Sequence, residues 1–88
     1  MMAIQVQETP NPNARKFTVE KLIFQGDGSV SVMPGQTSEH TIMNDLMELD
    51  GVDNVFGFQN FITVNKLPQA DWDELNPKVK STLEEHGY

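Results

Sequence analysis

VDNVFGFQNFITVNK, residues 52–66, reads as two strands, Val52 to Phe58 and Phe61 to Lys66, joined by a turn at Gln59-Asn60. Both runs are rich in β-branched and aromatic side chains, which fit a pleated, half-buried surface, and the polar pair between them suits a tight reversal. Phe56, Phe58 and Phe61 make this hairpin the bulkiest part of the chain and put rings on both parities. They serve either a core or, where helices cover one side of a sheet only, an exposed face.

Upstream of the hairpin, Gly51 is the left-handed terminator of a helix. That helix starts after Thr37 or Ser38, either of which can cap it. It turns Ile42, Met43, Leu46, Met47 and Leu49 to one side, with Asn44, Asp45 and Glu48 opposite. Nearer the N-terminus, Ala3 to Gln7 alternates as a strand with Ile4 and Val6 on one face. Thr9-Pro10-Asn11-Pro12-Asn13 follows, and its prolines exclude both helix and a paired central strand. Lys16 to Phe24 returns to strand composition with a change of phase that a bulge near Lys21 would reconcile. Gly26-Asp27-Gly28 suits a tight hairpin turn into a short strand, Val30 to Met33, which Pro34-Gly35 ends.

Downstream, Asp71 and Glu74 have capping-box spacing, and Trp72, Leu75, Val79, Leu83 and His86 share one stripe. One helix from Asp71 to about His86 fits, with Pro77 on its far side; the rival is a shorter helix capped by Asn76 with Pro77 at its first position. The order β-β-β-α-β-β-α predicts an α+β domain over residues 1–88: an antiparallel sheet of four to five strands with two helices packed on one face.

Eighty-eight residues with 38% hydrophobic content support one core. The absence of Cys removes disulfides, thiolate nucleophiles, zinc fingers and Cys-ligated clusters together. Net charge is −7, unevenly placed: −1 over residues 1–43 and −6 over residues 44–88. Such a surface repels phosphate backbones and anionic lipid, so neither nucleic acid nor membrane is an expected partner. No apolar run approaches the roughly 20 residues of a bilayer span and no signal peptide is evident, so the expected compartment is the cytoplasm.

Chemistry-bearing residues are few. Asp71, Asp73 and Glu74 form the densest carboxylate cluster, but a helix N-terminus favours acids in any case. Asp50 and Asp53 flank Gly51 without the spacing of a calcium loop. His40 has Met43 and Asn44 where a helical metal site needs carboxylates, and His86 sits on the apolar stripe of the last helix. No nucleophilic triad and no phosphate loop can be assembled, so no catalytic residue is assigned. Met43 and Met47 fit core filler. Thr9 to Asn13 is rigid and polar, either a structural loop or a presented recognition edge.

TPNPNARKF (Thr9 to Phe17), LMELDGVDNVFGFQNFITVNK (Leu46 to Lys66) and WDELNPKV (Trp72 to Val79) resemble the N-terminal domain of the Nfu/NifU-like iron–sulfur scaffold proteins, in family order and over nearly the whole chain. The resemblance implies a role in iron–sulfur cluster assembly or delivery. In that family the cluster is held by a C-x-x-C motif in a separate C-terminal domain; this chain resembles a stand-alone N-terminal domain without it, so no cofactor is expected to be bound through Cys. The leading expectation is a non-catalytic adaptor. Its contact residues are Thr9, Pro10, Asn11, Pro12, Asn13, Phe56, Phe58 and Phe61, and its partner is a Cys-bearing scaffold, a cysteine desulfurase or a client apoprotein. A second function class is weak binding of iron through His40, Asp71 and Glu74, if the fold gathers them. A third is a small hydrolase or isomerase built on carboxylates.

Overall fold

A computed structural model describes residues 4–88. Five strands and two helices follow in the order β1 (Gln5–Glu8), β2 (Ala14–Thr18), β3 (Val30–Val32), α1 (Thr41–Met47), β4 (Val52–Phe58), β5 (Phe61–Lys66) and α2 (Trp72–Glu85). All pairings are antiparallel and the strands lie in the order β1-β2-β5-β4-β3, an α+β sheet as expected. Ala3, placed in the first strand from its alternation, lies outside the described residues.

The central hairpin has the expected bounds. Phe58 pairs with Phe61 across Gln59-Asn60, and Gln59 takes a positive φ of 52° to close the turn. A register shift between Val52 and Asn54 leaves Asp53 outside the ladder. Val55 pairs with Val64 and Gly57 with Ile62 on the face that the helices cover. There Phe17, Val55, Ile62 and Val64 form one cluster with Ile42, Met43 and Leu46 of α1 and Leu75, Val79 and Leu83 of α2. Burying this many aliphatic and aromatic side chains, at roughly 1.5–3 kcal/mol each, is the main term stabilising a chain that has no cross-links.

Two glycines are required by close approach. At Gly57 an added Cβ would run into the ring of Phe24, which occupies the space a side chain would take. At Gly51, φ is +95° and a Cβ would come within 2.9 Å of the Ala70 Cβ, so this residue turns the chain into β4 and admits the approach to α2; it is not the helix terminator expected, since α1 stops at Met47 with Glu48 as its C-cap and Leu49 lies beyond it.

Three further local expectations need correction. Lys16 to Phe24 is not one bulged strand: β2 ends at Thr18, and the chain leaves the sheet there. Ile23 and Phe24 then both donate their N–H groups to the Gln59 carbonyl, at 2.9 Å each, and Leu22 is left 56% exposed. Gly26-Asp27-Gly28 does not close a hairpin, because β3 pairs with β4 on the far side of the sheet, Val32 opposite Val55. A three-residue strand has little intrinsic preference for a partner and takes the edge that α1 leaves it. Finally, α1 starts at Thr41 and not directly after Ser38. Ser38 still organises the entry: its hydroxyl accepts from the His40 N–H at 3.1 Å, and the Asn44 side chain clamps its N–H and C=O at 2.8 and 2.9 Å.

The last helix is continuous through Pro77, as expected, since Pro77 faces solvent and the carbonyl it leaves unbonded is in the first turn. Asp71 caps it by accepting from the Asp73 N–H at 2.9 Å. Among the described residues no helix is long and apolar enough to cross a membrane.

Candidate functional site

The two segments singled out in the sequence lie at opposite ends of the sheet. β5 starts at Phe61 in the hairpin turn and ends at Lys66, whose N–H donates to the Asn13 carbonyl at 2.8 Å. At about 3.4 Å per residue the two regions are some 17 Å apart along the strand, so they do not form one contiguous patch.

The Thr9–Asn13 loop is built from its own side chains. Thr9 Oγ1 accepts from the Asn11 N–H at 3.1 Å and lies within donating distance of the Asn11 and Ala14 carbonyls. Asn11 Oδ1 accepts from the Asn13 N–H at 2.9 Å, an Asx turn. Two longer ties fix the loop to the body: Trp72 Nε1 donates to the Pro12 carbonyl at 3.0 Å, and Lys66 Nζ donates to Asn13 Oδ1 at 3.0 Å. Arg15 lies over the Trp72 ring at 5.1 Å and pairs with Glu8 at 3.6 Å. Pro10, Asn11 and Pro12 are exposed on a shallow hollow beside Arg15.

The hairpin rings are placed by register. Val55 and Gly57 face the helices, so Phe56 and Phe58, one residue out of step, face the other way. Phe61 lies opposite Phe58, and its ring is 6.2 Å from those of both Phe56 and Phe58. Phe56 is 36% exposed and the other two are half-buried. No element of the described chain crosses this side of the sheet. Lys16, opposite Thr63, shares the face and holds its ammonium 4.3 Å from the Phe61 ring centroid, a cation–π contact. Sequence reasoning missed Lys16. The signal was its parity, one residue out of step with the buried Phe17.

The residues considered for metal binding are not gathered. His40 is the N-cap residue of α1, edge-on to the Phe24 ring at 4.9 Å. Asp71 and Glu74 line a 490 Å³ hollow with Asp50, Gly51 and Lys78 at the start of α2. Among the described residues no three His, Cys, Asp or Glu side chains converge on a common point. His86, on the apolar stripe of the last helix, reaches across to α1, where its Nε2 is 2.7 Å from Asp45 Oδ2. A Cys-ligated cluster does not fit the donor set, since the chain has no thiolate to offer.

Five antiparallel strands with both helices on one side and a bare, ring-bearing face on the other define a small α+β domain of two layers, one of them open. The chain belongs to the N-terminal domain family of the Nfu/NifU scaffold proteins, whose profile, described as "Scaffold protein Nfu/NifU N terminal", matches residues 4–88. A NifU-like protein of Schizosaccharomyces pombe is 39% identical over 94% of the chain, and conserved virulence factor C of Staphylococcus aureus is 29% identical over 94%. The chain spans only 33% and 22% of the length of these two relatives. The crystal structure of the Staphylococcus aureus protein SAV1430 superposes with a TM-score of 0.81 at 31% identity, covering 91% of this chain and 96% of that one. A NifU-like protein of Saccharomyces cerevisiae, solved by NMR, has the same fold, with a TM-score of 0.76 at 22% identity over 96% of this chain and 76% of its own.

Proposed function

We propose that this domain is a non-catalytic contact module of iron–sulfur cluster assembly or delivery. It works in the cytoplasm and docks on a Cys-bearing scaffold, a cysteine desulfurase or a client apoprotein without holding a cluster itself. The observation that carries this reading is the aromatic group Phe56, Phe58 and Phe61 on a sheet face that the domain leaves bare. Large rings gathered on an uncovered face are the anchor type that protein interfaces favour. Membership of the Nfu/NifU N-terminal family supports the process, and the absence of Cys from these 88 residues means that any cluster thiolates come from outside this domain. The Thr9–Asn13 loop contributes a second, smaller contact through its exposed prolines and Asn11.

The test is retention from a lysate of the protein's own source, kept anaerobic, on the immobilised wild-type domain and on Phe58→Ala and Asn11→Ala. Recovery of a Cys-bearing scaffold, a desulfurase or a cluster-receiving enzyme by wild type, lost with Phe58→Ala, is the expected result. Beads without any protein of iron–sulfur biogenesis would overturn the assignment.

A further inference from the structure

The bare face differs from the rest of the surface in charge as well as polarity. Although the chain has 13 Asp and Glu against 6 Lys and Arg, no carboxylate projects from the paired strand positions of this face. Its neighbours around the rings are Gln, Thr, Ser and Asn; its one charge at a paired position is Lys16, and one acid borders it, Asp53, whose Oδ2 accepts from Asn54 Nδ2 at 2.6 Å beside Asn65. Six of the 13 acids lie on the helical layer: Asp45 and Glu48 around α1, and Asp73, Glu74, Glu84 and Glu85 along α2, are all exposed. The molecule is therefore polar in the electrostatic sense, with an acidic helical layer behind a sheet face that carries one cation. Lys16 enters no ion pair among the described residues. Its ammonium rests on the same ring that Phe56 and Phe58 flank.

That juxtaposition specifies an occupant. A carboxylate that reaches Lys16 brings whatever is next to it onto the rings, and apolar groups that cover the rings bring their charged neighbours to Lys16. Two copies of this chain would set Lys16-bearing faces against each other and bring together two bodies of net charge −7, which does not favour self-association. A basic segment would meet Lys16 as a like charge and find its counter-charges on the helical side instead.

Resting on the contact-module reading above, we infer that the open sheet face docks a protein segment in which Leu, Ile, Phe or Trp stands next to Asp or Glu. The carboxylate pairs with Lys16 and the apolar side chains cover Phe56, Phe58 and Phe61. Short random peptides displayed on phage, selected on the folded domain and then synthesised, test this. Their affinities are measured for wild type, Lys16→Glu, Phe56→Ser and Lys80→Glu, each first shown to be folded by its amide NMR spectrum. The expected peptides combine an acid with an apolar neighbour. Lys16→Glu and Phe56→Ser each weaken them by about tenfold or more, while Lys80→Glu, the same charge reversal at an exposed position of α2, leaves them unchanged. Peptides that are basic or lack carboxylates, full binding by Lys16→Glu, failure to recover any peptide, or a dimer of the free domain in sedimentation that Phe56→Ser dissolves would each overturn it. Acidic peptides that bind as described, with no iron–sulfur protein retained from the lysate, would support this inference and remove the proposed process alone.

Discussion

At one end of the sheet the Thr9–Asn13 loop turns its polar groups onto itself, Lys66 and Trp72; towards the other, Phe56, Phe58 and Phe61 lie on a face that nothing in the described chain covers. The loop has the more unusual sequence and the smaller stock of uncommitted chemistry. Its Thr9 hydroxyl, Asn11 and Asn13 carbonyl oxygens and Pro12 carbonyl all have partners within the domain. The hairpin departs from regular backbone only at Gln59 and at the Val52/Asn54 shift, and it holds its rings by strand register and by contact with one another, which leaves their outer surfaces for a partner. Rigidity and availability thus separate: a segment ordered by its own side chains has used them.

The sharpest way to break this contrast is to cut the loop's tie to α2. Trp72 is 7% exposed and packs at 6.3 Å from Phe17 while its indole N–H holds Pro12. Trp72→Ala is expected to cost about 3–5 kcal/mol in urea unfolding, through lost burial and the cavity left behind. Trp72→Phe keeps most of the ring and removes only the donor, so about 1 kcal/mol is expected. Faster amide exchange should then be confined to residues 9–13. A loop that stays protected in Trp72→Phe would mean that its internal bonds suffice.

The second break is made one residue away from the exposed ring. Gly57 faces the core against Phe24, while Phe56 faces out. Gly57→Ala puts a methyl group into the Phe24 ring, which must move and is itself packed on His40; about 1–3 kcal/mol of destabilisation is expected in the same unfolding measurement. Indifference to Gly57→Ala would show that the Phe24 segment yields easily, and would weaken the distinction between a packed and an open side of β4.

Gly57 also explains what could be read in advance and what could not. The hairpin, its turn and α2 were legible because their signals are local: strand composition around a polar pair, a cap three residues before Glu74, a stripe of period 3.6. Which side of the hairpin the rings take was not, since the core-facing position between Phe56 and Phe58 is a glycine. The side chain that fills its space is Phe24, from a segment more than thirty residues earlier. With an apolar residue at 57 the alternation would have declared itself. The pairing of β3 with β4 is hidden for a related reason, because three residues beside Gly26-Asp27-Gly28 say nothing of a partner that lies beyond α1. Lys16 was visible as a residue but not as part of the site, for its neighbour Phe61 comes from another strand.

The smallest effect expected on stability is the one that matters most for function. Phe56 is 36% exposed, and its contacts within the domain are the flank of Phe61 and the cross-strand positions Ser31 and Thr63. Replacing it by Ser removes apolar area of which only about a third is in water, but it opens no closed cavity in the core and leaves no buried polar group unpaired. Phe56→Ser should therefore lower the unfolding free energy by about 1 kcal/mol or less, from the lost contact with Phe61 and the weaker strand preference of Ser. Solubility should hold or rise, since an exposed apolar patch shrinks. If the residue is instead a structural member of the sheet, stability falls by an amount comparable with Gly57→Ala, and any loss of partner binding follows from unfolding. The two substitutions occupy adjacent positions on one strand with the same backbone pairing, so comparing their unfolding curves separates a side chain kept for the fold from one kept for what lies outside it.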